Sequence, residues 1–300
     1  MRVLFRSGAV PDAVPDEVAL LGLRRVLVLC DDHGLDTARA VAASLGDACA
    51  GLHAGAVTHV PVEVADLAVE AAREVRADGC VAVGGGSVTG LAKAVALSTG
   101  LPYVAVPTTY AGSEMTPVRG LTEGAVKRTG REPKVLPRSV VYDPLLTLTM
   151  PPVGSATSGM NAIAHAVEAL YAPDSTPIVS LMAEEGVRAL AAALPEIVAD
   201  PSGHDARSRA LYGAWLCGAC LGATTMGLHH KLCHVLGGTF DLPHAERHAV
   251  VLPHVLAFNA PAFPRHWRRC AGRSMSRIRY GSCTSWASGW ASRDRSPTSA

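Results

Sequence analysis

The sequence has no excess of charge of either sign: 27 lysines and arginines face 26 aspartates and glutamates, for a net charge of +1. That balance excludes a general polyanion binder, which carries a basic excess or stripe, so no nucleic-acid partner is expected. Long apolar runs are missing too. None reaches the roughly 18 residues a membrane span needs, and the opening Met1–Asp12 stretch holds too short an apolar core for a secretory signal. The expectation is a cytoplasmic chain with no membrane partner. Densely spaced cysteine is likewise absent. The 8 cysteines are scattered in apolar settings, which excludes a disulfide-stapled scaffold and reads as reduced thiols acting as small hydrophobes. Cys217 and Cys220 form one CxxC with no second pair, which reads as helix packing. Charged residues make up only 18% of the chain against 49% hydrophobic, which excludes disorder over most of its length.

What is present is the alternation of a layered α/β fold. Val26–Leu29 reads as a buried strand, Asp36–Leu45 and Pro61–Val75 as helices, and Val81–Val83 as the next strand. A helix over Thr89–Leu97 and strands over Tyr103–Val106 and Ser139–Tyr142 complete the pattern. Strands alternating with helices predict a Rossmann-like parallel sheet with helices on both faces. After Met150-Pro151-Pro152 the periodicity turns almost wholly helical, from Ala156 to Asn259. This predicts a dinucleotide-binding α/β domain over 1–152 and a helical substrate domain over 153–262. The last stretch, 263–300, breaks the pattern. From Pro264 onward it carries 8 arginines, 8 serines and 3 of the 4 tryptophans but only one acid, Asp294. It reads as a frame-shifted or otherwise non-native C-terminus, which leaves the helical domain incomplete.

Candidate chemistry gathers at the predicted strand ends. Gly84-Gly85-Gly86-Ser87 follows a strand and opens a helix, the setting in which backbone N–H groups and a helix N-terminus hold a phosphate. Glycines there let a pyrophosphate approach the backbone. Asp31, just past the first predicted strand, is placed to accept from a ribose diol and to repel a 2′-phosphate. Pro107–Ser113 brings the hydroxyls of Thr108, Thr109, Tyr110 and Ser113 to the same edge. Together these residues point to a dinucleotide.

Histidines cluster in the second half: of the 12, six fall between His229 and His254. His230 and His234 are spaced to share a helix face, as are Asn161 and His165, and His244 follows the Gly237-Gly238 break. Such an array could hold a divalent metal, or bind an anionic substrate and pass protons. His229 is read as a surface residue.

The ordered motifs Gly84–Lys93, Pro107–Glu114, Asn161–His165, and His230–His234 followed by Leu242-Pro243-His244 resemble the iron-containing alcohol dehydrogenase superfamily, from about Met1 to Ala262. Within it the chain is similar to the maleylacetate reductases, on Gly90, the Tyr110–Pro117 run and Asn161. The resemblance implies a dehydroquinate synthase-like fold, an α/β domain followed by an all-α domain. It implies NAD(P)H-dependent reduction of maleylacetate to 3-oxoadipate in aromatic-compound degradation, with NADH as cofactor, NADPH admitted, a small dicarboxylate as substrate and a homodimer as the assembly. It puts the superfamily's metal quartet on Asn161, His165, His230 and His244, with an amide where an aspartate is usual. Losing the one anionic ligand makes a metal unexpected. It places His234 near the nicotinamide as proton donor, and Lys134 along the cofactor cleft. A metal-dependent alcohol or polyol dehydrogenase, and a non-catalytic dinucleotide-binding chain, stand as alternatives.

Overall fold

The computed structural model describes residues 1–124, 126–240, 242–259 and 261. Six strands form one parallel sheet: β1 (Arg2–Phe5), β2 (Val26–Cys30), β3 (Cys49–Ala54), β4 (Gly79–Gly84), β5 (Tyr103–Pro107) and a last strand over Ser139–Tyr142, separated in sequence by an antiparallel hairpin of β6 (Val118–Glu123) and β7 (Val126–Arg131). Counting that last strand as β8, the order across the sheet is β1-β8-β5-β4-β2-β3. The helices between them are α1 (Val10–Leu20), α2 (Leu35–Leu45), α3 (Val62–Glu74) and α4 (Gly86–Thr99).

The strand sequences explain why both faces are covered. Leu27 and Leu29 of β2, Cys80 and Ala82 of β4, and Tyr103 and Ala105 of β5 enter one core, while Val26, Val28, Val81, Val83, Val104 and Val106 enter the other. This is the period-two alternation of a pleated strand with an apolar layer on each side. The second core is closed by α1 and α2. The first is closed by α3 and α4, and it runs on into the helices that follow the sheet.

Those helices are α5 (Pro152–Tyr171), α6 (Pro177–Ala199), α7 (His204–Ala223), α8 (Leu228–Phe240) and α9 (His244–Asn259). Helix α5 starts at the double proline, where a ring with fixed φ and no N–H suits the first helical turn. Loop and helix meet closely at one point: Gly112, at φ 69°, leaves a space in which a Cβ would lie 2.9 Å from the Cα of Gly218 on α7. The loop after β5 therefore rests on the backbone of α7.

The structure departs from the sequence expectation in four elements. β1, α1, β3 and the β6–β7 hairpin carry weak signals. Strand β3 reads Cys-Ala-Gly-Leu-His-Ala, without a β-branched residue, and α1 contains Pro11 and Pro15. Cys217 and Cys220 are both buried in α7, as packing residues. The expectation for 263–300 falls outside the described residues.

Candidate active site

The sheet changes winding direction between β2 and β4, since β3 lies beyond β2 on one side and β5 beyond β4 on the other. Open α/β sheets take ligands outside the carboxyl ends of the strands at such a point. The residues that follow β2 and β4 there are Asp31 and the Gly84–Gly86 loop. Asp31 already spends one oxygen, Oδ1, accepting from the Gly34 N–H at 2.7 Å. That bond fixes the carboxylate at the strand end.

The three glycines are not equivalent. At Gly84, φ is 154° and a Cβ would lie 2.4 Å from Val88 Cγ2. A Cβ on Gly85 would lie 2.9 Å from Thr109 Cγ2, whereas one on Gly86 would meet only Ala111 Cβ, at 3.4 Å. The first two are demanded by packing, whereas Gly86 has room for a Cβ. Ser87 lies in the first turn of α4, half-buried. The Thr108 N–H donates to Gly84 O at 3.2 Å, which ties the β5 loop beside the glycine loop and sets half-buried Thr108 and Thr109 on the same edge. Tyr110 turns away: it is fully buried, with its hydroxyl against Thr147 and Arg207.

Ser113 is held from beneath by a residue the sequence reading passed over. Lys93 of α4 is buried and donates to Ser113 O (2.7 Å), Thr116 Oγ1 (3.0 Å) and Val118 O (2.7 Å), with Ser113 Oγ at 3.3 Å. Burial pushes its ammonium down to about 7, against a partly restoring pull from Glu114. Lys134, expected in the cleft, is elsewhere. It is exposed and donates to Leu97 O at 3.0 Å, near the C-terminal end of α4 and away from the glycine loop. Its long stem reaches the nearest free helix carbonyl, as lysines near helix ends do.

The helical half assembles the second cluster. Asn161 and His165 stand one turn apart on α5, both buried, and His165 stacks on His230 of α8 with ring centroids 5.1 Å apart. His234 lies one turn further along α8, 6.3 Å from the His230 ring. His244 opens α9 and reaches the cluster through His248, at 4.5 Å. The five expected residues are therefore brought together, with His244 as an outer member.

Three participants were missed. Glu168, one turn after His165, accepts from the His229 N–H at 2.7 Å and pairs with His230 Nδ1. A carboxylate at the N-terminus of α8 meets unpaired N–H groups and the positive helix end. It also fixes the His230 ring and leaves Nε2 bare. Burial would raise the Glu168 carboxyl, but the His230 hydrogen bond and the neighbouring imidazoles hold it below its ordinary value. His229, expected at the surface, is fully buried and bonds through Nε2 to His248 Nδ1 at 2.9 Å. The Glu168 cap draws the first turn of α8 inward and His229 with it. His248 is the third, also fully buried. Burial lowers His229 to about 4 and drives His248 and His165 well below the usual imidazole range, with the surrounding imidazoles adding to it. Periodicity on α9 offered the signal for His248, four residues after His244.

Bare buried atoms mark where a ligand would be met: Asn161 Oδ1, His165 Nδ1, His230 Nε2 and His248 Nε2 have no hydrogen-bond partner. In kind, an amide oxygen and imidazoles fit a divalent ion, and His230 backed by a carboxylate is the usual form of a metal-binding histidine. In charge, the set is neutral, because Glu168 is engaged with α8 and Asn161 replaces an anion. A tighter group, His229, Cys233 and His248, has ligand atoms all within 4.8 Å of one another, but the hydrogen bond joining its two histidines already uses their facing nitrogens.

Two family models cover most of the chain. The iron-containing alcohol dehydrogenase model matches residues 1–144, and the C-terminal model of the Fe-containing alcohol dehydrogenase family matches 155–285. The chain is 57% identical over 271 residues to maleylacetate reductase 2 of Cupriavidus pinatubonensis, covering 90% of this chain and 75% of the relative. It is 56% identical over 270 residues to the maleylacetate reductase of Sphingobium indicum, covering 90% and 76%. Among solved structures, the maleylacetate reductase of Agrobacterium tumefaciens superposes with a TM-score of 0.88 at 52% identity, covering 90% of this chain and 77% of that one. An alcohol dehydrogenase described as putative, from Ralstonia eutropha JMP134, gives 0.93 at 55% identity, covering 96% and 82%.

Proposed function

The chain belongs to the iron-containing alcohol dehydrogenase family, and from that premise we propose that it reduces maleylacetate to 3-oxoadipate with a nicotinamide cofactor. The observation that carries this reading is identity above one half, over nine-tenths of the chain, to proteins named maleylacetate reductase. The site supports it: a switch-point cleft with Asp31 and Gly86 for a dinucleotide, and a buried, largely neutral histidine cluster for the substrate. Neither alternative, an alcohol or polyol dehydrogenase or a non-catalytic chain, is favoured by these similarities. Residues 1–152 are read as the cofactor unit and 153–262 as the substrate unit.

The reaction consumes one hydride and one proton: maleylacetate, NADH and H⁺ give 3-oxoadipate and NAD⁺. Hydride from C4 of the nicotinamide adds to the alkene carbon β to the ketone, the π electrons shift, and negative charge collects on the ketone oxygen as an enolate. Groups aimed at that oxygen stabilise it more than they stabilise the ground state. His165, His230, His244 and the Asn161 amide are the candidates. His230 gives Nδ1–H to Glu168, so its Nε2 accepts when the ring is neutral and donates when it is protonated. His234, half-buried beside His230, or a water it orients, returns a proton to the carbon between the enolate and the new C–H bond. Asp31 disfavours a 2′-phosphate, which gives the proposed preference for NADH.

Asn161, His165, His230 and His244 would hold a divalent ion, and such an ion would polarise the ketone oxygen. Membership of an iron-containing family does not support the expectation of metal independence, and that expectation rests on Asn161. The test is exhaustive chelation with metal analysis during maleylacetate turnover. Retained activity at well under one ion per chain supports a metal-free reduction, and Asn161→Asp should then bind zinc or ferrous iron. Complete loss on chelation, restored by metal, overturns it.

A further inference from the structure

Buried cations elsewhere in this fold have full partner sets. Arg207 on α7 is fully buried and donates to Ser155 Oγ (2.7 Å), Met150 O (3.0 Å), Pro201 O (3.1 Å) and Tyr110 Oη (3.5 Å). Lys93 is saturated in the same way. Arg247 on α9 is different. It is 5% exposed, Nη1 donates to Leu242 O at 2.9 Å, Nη2 meets His244 Nδ1 at 3.1 Å, the neutral Cys233 thiol is a further hydrogen-bond partner, and buried Nε has no nitrogen or oxygen partner. None of the ion pairs among the described residues includes it. A guanidinium taken out of water without an anion is among the most costly groups a protein can bury.

Its position is built. A Cβ on Gly237 would lie 1.7 Å from Arg247 Nη1 and 2.3 Å from Cζ, so the guanidinium lies flush against the α8 backbone at that glycine. His244, Arg247 and His248 are three and four residues apart, on one face of α9, and the His248 ring packs 5.0 Å from His230. The cation, with no acidic partner among the described residues, thus belongs to the same cluster as the bare nitrogens.

We propose that Arg247 anchors one carboxylate of the substrate, its bare Nε–H and a neighbouring N–H forming the fork that takes a carboxylate side by side. This rests on the reading of the cluster as a substrate site, and it names the substrate class that the site prefers: a dicarboxylate, whose negative charge supplies a counter-charge that no acidic side chain among the described residues gives Arg247. Arg247 is then a specificity residue, distinct from the groups that stabilise the enolate.

The test uses the full chain and the variants Arg247→Met and Arg247→Lys. Adipate binding is measured by calorimetry, and KM and kcat are measured with maleylacetate and NADH. Loss of a hydrogen-bonded charge contact predicts adipate affinity weakened by about 10- to 100-fold in Arg247→Met, a matching rise in the maleylacetate KM, and NADH affinity unchanged. Arg247→Lys keeps the charge and the stem, loses the fork, and lies between. It decides the matter if the methionine variant does not fold. Adipate affinity and KM equal to the parent in a folded variant overturn the proposal, as does an unaltered chain that binds no dicarboxylate. A chain that binds adipate through Arg247 yet does not consume NADH with maleylacetate overturns the proposed reaction and leaves the anchor standing.

Discussion

The two buried polar clusters of this molecule are partnered in opposite ways. Around the sheet, Lys93 is fully bonded, Glu114 accepts from Tyr142 at 2.6 Å, Glu17 holds Arg2, and Arg207 has four acceptors. Where α5, α8 and α9 meet, the polar side chains are just as buried, yet six of the eight partnerless buried side-chain atoms among the described residues lie there. A bare buried group costs about 1–3 kcal/mol, so the second cluster is less stable than it needs to be. Scaffold polar groups satisfy one another, whereas groups left for a ligand do not, and local rules of satisfaction tend to break at functional sites.

The comparison breaks most readily on a pair of substitutions. His230→Ala should lower kcat with maleylacetate by about 100-fold or more, the scale of losing one group that stabilises developing charge. Arg207→Met strands four acceptors and should lower unfolding free energy by about 3 kcal/mol or more in urea titrations. If His230→Ala is as fast as the parent, or Arg207→Met as stable, the two clusters do not differ as described. At the glycine loop, Gly85→Val should weaken NADH binding by about 2 kcal/mol, the cost of overpacking against Thr109, while Gly86→Ala is accommodated by packing and tests phosphate approach alone. Fluorescence titration with NADH separates the two. Weaker NADH binding in Gly86→Ala would assign that glycine to phosphate approach, and unchanged binding would remove it from the cofactor site.

The histidine cluster also sets an acid limit. His229 is lowered to about 4, with His165 and His248 lower than usual as well, so below about pH 6.5 the unfolded chain takes up protons that the folded chain refuses. Their contribution is present in full above that pH and is lost as pH falls, by up to about 1.4 kcal/mol per histidine per pH unit. Glu168, held below its ordinary value, acts in the same direction below about pH 4.3. Unfolding free energies measured from pH 7 to pH 5 should fall steadily, and His248→Asn should flatten the slope. A flat profile in the parent would show that these rings are solvated. The smallest effect is expected at Asp31, where Asp31→Ser should raise NADPH use relative to NADH. An unchanged ratio removes Asp31 from the cofactor site.

Most of the α/β half was legible because its strands are short β-branched runs and its helices begin and end at turn residues. β8 was located to the residue. The glycine loop was legible as a strand-to-helix turn, but only coordinates separate Gly86 from Gly84 and Gly85, since the neighbours that crowd them, Val88 and Thr109, are chosen by tertiary packing. Asn161 and His165, like His230 and His234, were readable from one-turn spacing. His229 was not, because its burial comes from Glu168, 61 residues away, capping α8. Lys134 misled because a lysine's number says nothing of which helix carbonyl its stem will find.

In the proposed reaction, hydride reaches a carbon–carbon double bond from a cofactor held at this sheet edge. The direct measurement is the fate of deuterium from NADH labelled at C4, followed by NMR of the product. The expected product is 3-oxoadipate with deuterium on the former alkene carbon β to the ketone. Deuterium on a carbinol carbon would mean that the ketone is reduced as in an alcohol dehydrogenase, and would contradict it.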